Sequence, residues 1–320
     1  MNQQRPSVDK DVLASALSEI AAFLAVPVVV EREVAGVASP SHFAVDAAVR
    51  ILRGDPDGPG FILKTWYDDC LAPVDVDNVF EMTLAASMIG ATPAPRLRLN
   101  TSNSMLVDVP EGDWHTARLH EISAENDLHR LVELKRSLHQ LPSFPVDRDV
   151  FADIEHLSAT VESLALSLPD TMVEALDFAR ECGRAISASG VDRVPGHADG
   201  VTSNILISSD GNMKLVDFDE AGNVDPLFDL ALVLNEVHPL DRAIQQSVIE
   251  AFEGSVSETS RARICAYQLA DDLKWALWGL GMDRMSSRRN VEFLKYGQWR
   301  WLRARVALAS MERNEVLKNV

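Results

Sequence analysis

Cysteine is scarce, basic residues are outnumbered, and no apolar stretch is long enough to cross a bilayer. The 3 cysteines, Cys70, Cys182 and Cys265, are odd in number and far apart, and they match neither metal-ligand spacing nor a disulfide framework. A reducing, cytoplasmic setting is therefore expected. With 30 Lys+Arg against 48 Asp+Glu the net charge is −18. Such a field repels nucleic-acid phosphates and anionic headgroups and favours cationic small molecules. Neither a nucleic acid nor a membrane is expected as a partner. The longest early apolar run, 20–30, is broken by Pro27 and preceded by acidic residues, unlike a signal peptide. No later run reaches the roughly 20 apolar residues of a spanning helix.

What is present is a chain of 320 residues, 47% of them hydrophobic, long enough for two domains or one bilobed one. Apolar residues at helical spacing, Leu13, Leu17, Ile20 and Leu24, follow a possible cap at Ser7 and predict an opening helix. Residues 28–34, 42–52 and 61–66 are rich in β-branched and aromatic types, with turn chemistry over 54–60, which predicts an antiparallel meander. A helix is expected over 76–90 and two short strands over 96–99 and 104–109. Past Pro110 the pattern changes to long helices, expected over 126–141, 171–188, 241–252 and 258–281. One hairpin interrupts them, with strands over 204–207 and 213–218 and an Asp210-Gly211 turn.

The residues around that hairpin carry the chemistry. His197, Asp199 and Asn204 form H-x-D-x-x-x-x-N, and Asp217-Phe218 follow the second strand. In phosphoryl transfer from ATP one Asp accepts the proton of the attacking hydroxyl, while an Asn and a second Asp hold the Mg²⁺ ions on the triphosphate. A loop leading into a two-stranded ribbon brings Asp199, Asn204 and Asp217 to one end of it. Turn chemistry explains each residue singly but not their order. The continuation from Asp217 to Ala231 includes Asp219, Asp225-Pro226 and Asp229-Leu230-Ala231. It resembles the stretch D-F-E-x-A-G-x-x-D-P-x-x-D-L-A of the aminoglycoside phosphotransferase and choline kinase family, small-molecule relatives of the protein kinases. The protein-kinase A-P-E segment is absent from the sequence, so a protein substrate is not expected.

The resemblance implies an α+β, bilobed protein-kinase-like fold, with a small antiparallel β-rich lobe over 1–108 and a larger, mostly α-helical lobe over 109–320. It implies ATP and Mg²⁺ as cofactors, Asp199 as catalytic base, and Asn204 and Asp217 as metal ligands. On the nucleotide side, Lys64 sits on a strand as the phosphate clamp requires, with Glu81 on the following helix as its partner. The loop 35–42 has a single glycine where relatives usually show two, and Ser39 or Ser41 hydroxyls could assist the backbone. Asp108 and Val109 fall at the interlobe hinge that faces adenine. Asp229 is expected to buttress the metal loop, and His139, within L-x-x-L-H-x-L-P, to be a packing residue.

On the acceptor side, Trp275-x-x-Trp278 and the later Phe293-x-x-Tyr296-x-x-x-Arg300 are similar to choline and ethanolamine kinase patterns. Indole faces can enclose an ammonium by cation–π attraction, although aromatics at helical spacing are as often core. Asp219, Glu236, Trp275, Trp278 and Tyr296 are thus the candidate substrate contacts. The expected reaction is transfer of the γ-phosphoryl group to the hydroxyl of a small cationic amino alcohol such as choline or ethanolamine. An aminoglycoside, thiamine or another hydroxylated metabolite remains open, as does a nucleotide-binding pseudokinase. Oligomeric state is not legible in the sequence.

Overall fold

The computed structural model describes residues 10–36, 45–54 and 58–320. Ser7, Ser39, Ser41, positions 42–44 of the strand expected over 42–52, and 55–57 of the turn lie outside them. α1 (Lys10–Leu24) lays Ala16 and Ile20 on one face of a five-stranded antiparallel sheet. Its strands are β1 (Val29–Val34), β2 (Ala47–Arg53), β3 (Gly60–Trp66), β4 (Pro95–Leu99) and β5 (Ser104–Asp108), in the spatial order β1-β2-β3-β5-β4. Strand alternation sends Phe61 and Leu63 towards α1 and turns Ile62, Lys64 and Trp66 to the opposite face. Between β3 and β4 runs α2 (Val76–Met88), started by Asp75, whose carboxylate accepts from the Asp77 and Asn78 amides at 3.1 Å.

Beyond β5 come β6 (Trp114–Thr116), α3 (Leu119–Ile122), α4 (Glu125–Leu138), α5 (Val150–Ser163), α6 (Asp170–Ser189) and β7 (Val194–Gly196). The hairpin follows as β8 (Ile205–Ser208) and β9 (Met213–Leu215), with Gly211 at φ +76° in its turn. It is not isolated, because β8 also pairs with β6. β9 stops at Leu215, short of the expected 218, because Asp217 adopts φ +68° and leaves the extended conformation. β10 (Gly222–Val224) then pairs with β7. The chain ends with α7 (Pro226–Val237), α8 (Arg242–Glu253), α9 (Glu258–Met285), α10 (Phe293–Ala309) and α11 (Arg313–Asn319). α9 is buried around much of its circumference, with Gln268, Asp271 and Asp272 among its buried residues, and forms the axis of this half, against α5, α7 and α10. No helix among the described residues is long and apolar enough to cross a membrane.

Candidate active site

The loop bearing Asp199 is suspended from two helices behind it. Asp225 caps α7 by accepting from the Leu227 amide at 2.8 Å, and Pro226 pre-sets the first helical position. One turn on, the fully buried Asp229 accepts from Lys135 Nζ at 2.7 Å, His139 Nε2 at 3.0 Å and the Ala198 amide at 2.9 Å. Burial pushes this carboxyl up, but Lys135 and His139 outweigh it and hold Asp229 well below the usual carboxylate range. The same Lys135 ammonium donates to the Asp199 carbonyl at 2.8 Å. Gly200 lies so close to α7 that a Cβ there would fall 2.2 Å from the Leu232 carbonyl oxygen, which only glycine permits.

Of the four non-glycine residues in the left-handed region among those described, two stand here, Ala198 at φ +54° and Asp217 at φ +68°. Each costs about 1–3 kcal/mol and flanks the residues that matter, a pattern common at functional sites. His197 bridges the two segments, with Nε2 2.9 Å from the Val216 carbonyl and its ring edge-on to Phe218 at 4.8 Å. Burial, aided by Lys135, pushes its pKa down. His197 is thus a strut that donates from Nε2 to the Val216 carbonyl, with Nδ1 3.3 Å from the Asp199 carbonyl. Asp199 itself accepts from the Val201 amide and from Asn204 Nδ2, both at 2.7 Å. Burial pushes its carboxyl up, in the direction that suits a base.

Across the cleft, Lys64 Nζ donates to Asp217 at 2.5 Å and to Asp219 at 2.7 Å, and Trp66 Nε1 donates to Asp219 at 2.7 Å. The structure therefore joins Lys64, Asp199, Asn204 and Asp217 in one cleft. It also corrects several expectations. Lys64 is paired with the two aspartates, while Glu81 is exposed on α2 and forms no ion pair among the described residues. Asp219 lies on the Lys64 side, not among acceptor contacts. The Asp108 amide is bonded to the Ala94 carbonyl at 2.9 Å and the Val109 amide to that of Gly60 at 3.1 Å, so neither N–H is available to adenine. The Asp108 carboxylate pairs with Arg96. Burial together with the neighbouring Asp217 charge pushes Asp219 up to about 8. Two carboxylates crowd one lysine, and the proton that burial and Asp217 favour on Asp219 leaves the trio near neutral. A divalent cation would take the place of that proton, and the all-oxygen donor set of Asp217, Asp219 and the Asn204 side-chain oxygen suits a hard one such as Mg²⁺.

On the acceptor side, Asp199, Glu236, Trp275, Arg300 and Arg303 line a narrow cavity of about 10 Å³. Glu236 accepts from the Thr202 hydroxyl at 3.0 Å and stands 3.9 Å from Arg303. Arg300 and Arg303 are themselves neutralised by Asp271 and Asp272. Trp275 is half-buried at this cavity and meets Trp278 edge-to-face at 5.4 Å. Trp278, at 7% exposure, and Tyr296, at 2%, pack into the core instead, Trp278 against Phe293 at 5.5 Å. Their expected substrate contacts are corrected accordingly. Cavities of about 220 and 460 Å³ occur elsewhere, but Asp199 lines neither. Charge and strain, more than volume, mark the site.

Several residues at the site have no clear signature in the sequence. Lys135, in the last turn of α4, and His139, which caps its C-terminus, read as an ordinary helix face and a packing residue. Trp66 reads as a strand aromatic. Arg148, which donates to the Asp219 carbonyl at 2.9 Å, sits in a loop without periodicity.

Comparison with known proteins agrees with this geometry. The model of the phosphotransferase enzyme family (APH) matches residues 44–266. A choline/ethanolamine kinase family protein from Mesorhizobium loti is 20% identical at a TM-score of 0.75, over 96% of this chain and 98% of that one. Choline kinase LicA from Streptococcus pneumoniae is 16% identical at 0.73, over 93% and 99%. A spectinomycin phosphotransferase, solved with ADP and spectinomycin, is 11% identical at 0.63, over 97% and 99%. No curated protein sequence matches. These likenesses bear out the bilobed, protein-kinase-like α+β fold. With the family model covering most of the chain from β2 into α9, the protein belongs to the phosphotransferase enzyme family and is a small-molecule phosphotransferase.

Proposed function

We propose that the protein moves the γ-phosphoryl group of ATP, with Mg²⁺, to the hydroxyl of a small cationic amino alcohol of the choline or ethanolamine class. The observation that carries the acceptor class is the composition of the cavity beside Asp199. Its lining sets two arginines, Arg300 and Arg303, against three carboxylates, Asp199, Glu236 and Asp271, while the buried Asp272 pairs with both arginines, and the half-buried Trp275 offers an indole. An ammonium gains there from both charge and π-face.

In this reading Asp199 accepts the hydroxyl proton as the oxygen attacks the γ-phosphorus, and the bond to the bridging oxygen of the leaving ADP breaks. Val201 and Asn204 fix the orientation of Asp199, and Lys135 fixes its backbone. Lys64 holds the α- and β-phosphates. Asn204 and Asp217 would hold Mg²⁺, with Asp219 close by, and the ion would supply neutralisation of charge on the phosphates. Solved relatives carry AMP in choline kinase LicA and ADP in spectinomycin phosphotransferase, which supports a nucleotide in this cleft.

Saturating Mg²⁺-ATP at 100 times its dissociation constant is expected to stabilise the protein by about 2.7 kcal/mol. Asp217→Ala removes most of that shift in a thermal melt, and a wild-type melt unmoved by Mg²⁺-ATP would refute nucleotide binding. The acceptor is tested by ATP consumption with choline, ethanolamine, a neutral alcohol and an aminoglycoside. Preference for the neutral alcohol would sink the cationic-pocket reading and leave the kinase reading standing. Trp275→Leu is expected to raise the Michaelis constant for a cationic alcohol by about 2- to 30-fold with a smaller effect on ATP. Trp278→Leu, by contrast, is expected to act through the melting temperature.

A further inference from the structure

The connection between α9 and α10 reaches across to the strand that carries Lys64. Its Arg288 is 4% exposed, an unusual depth for a guanidinium. Arg288 Nε lies 3.0 Å from the Asp69 carboxylate, and NH1 donates to the Val45 carbonyl. Its planar group lies 4.2 Å from the centre of the Tyr67 ring and 5.2 Å from that of Phe293. The Ser286 hydroxyl donates to Asp69 as well. Beside this knot Leu71 seats against α9 at Gly281, where a Cβ would fall 2.7 Å from it.

The partners of Arg288 come from both halves of the cleft. Tyr67 and Asp69 directly follow Lys64 and Trp66, and Val45 leads into β2, which pairs with β3 from Ala47 opposite Trp66. Phe293 opens α10, the helix that carries Arg300 and Arg303, and meets Trp278 edge-to-face. A desolvated ion pair is weak evidence of stability for its own sake, and registry is its better-attested use. The guanidinium fork reaches a carboxylate and a carbonyl while stacking on a ring, a combination that an ammonium cannot reproduce.

We propose that Arg288 is a positioning residue for phosphoryl transfer, fixing the end of the Lys64 strand to the acceptor-side helices so that the two halves of the cleft hold one register. The inference rests on the cleft working as described under the proposed function. Arg288 touches neither reacting group; it sets the distance between the elements that do. Loss of that register costs on the order of 10- to 100-fold in turnover.

The test uses the full chain as wild type, Arg288→Met, Arg288→Lys and Asp69→Asn, with hydrogen exchange followed on adding Mg²⁺ and a non-hydrolysable ATP analogue. In wild type, exchange is expected to slow over 60–66 and also over 286–296. In Arg288→Met it slows over 60–66 alone. With an acceptor from the panel, turnover per nucleotide-binding site falls by about 10- to 100-fold while the Michaelis constant for ATP stays within about 3-fold, and Arg288→Lys recovers part of the loss. A merely structural role would lower the melting temperature and the number of binding sites and leave turnover per site unchanged, which would overturn the proposal. So would a wild type whose 286–296 segment ignores the nucleotide. If Arg288→Met does not fold, Asp69→Asn carries both measurements, because the Asp69 side chain is 29% exposed and tolerates the change. If wild type uses no acceptor in the panel, the acceptor reading fails and the exchange result alone decides on Arg288.

Discussion

The Asp199→Asn protein is expected to bind Mg²⁺-ATP and to melt near the wild-type temperature while its turnover falls by about 10²–10⁴-fold. Both oxygens of Asp199 accept from nitrogen donors, the Val201 amide and Asn204 Nδ2. An amide at this position must turn its own NH2 towards one of them. Turned towards the Val201 amide, it gives up one hydrogen bond and leaves the Asn204 bond and the Asn204 oxygen in place, so the fold and the metal site survive, but the replacement has no oxygen that can take a proton from an incoming hydroxyl. Pre-steady-state transfer from labelled ATP, with nucleotide affinity measured in parallel, separates the two effects. Equal rates in variant and wild type would remove Asp199 from the role of base.

Replacing Asp229 by alanine is expected to lower unfolding stability by about 3–5 kcal/mol, because it strands a buried ammonium. Lys135 is 2% exposed and would keep only the Asp199 carbonyl, while His139 and the Ala198 amide would lose their acceptor. Adding Lys135→Met should recover part of the loss, since an unpaired charge is costlier than a methionine in the same place. Urea titration of the single and double variants reads this directly, and an additive double variant would refute the coupling. Because the folded Asp229 pKa is depressed, its contribution is present above the ordinary aspartate range and is lost only as pH falls through the lower folded value.

The order of Asp199, Asn204 and Asp217 was legible because it is set along a short loop and hairpin, where chain geometry leaves little freedom. Lys64 was legible through its strand and Asp75 through its cap position. The partner of Lys64 was not, because it depends on how the sheet faces the helices across 153 residues of chain between Lys64 and Asp217. Trp275 and Trp278 stand three apart on one helix, yet that offset turns one to the cavity and the other to the core. β6, β7 and β10 have three residues each, too few to show any period. Lys135 reads as one more helix lysine until Asp229 is placed opposite it.

The sealed position of the Lys135–Asp229 pair bears on how the protein responds to ionic strength. With a net charge of −18 the surface repels itself, and added salt relieves that repulsion between exposed groups. Mobile ions do not reach a pair with 2% and 0% exposure, so the attraction that seats the Asp199 loop keeps its strength while the acidic exterior is screened. Across a salt series the shell of the molecule and the seat of its base therefore respond separately: global stability rises with salt, and the geometry around Asp199 stays fixed.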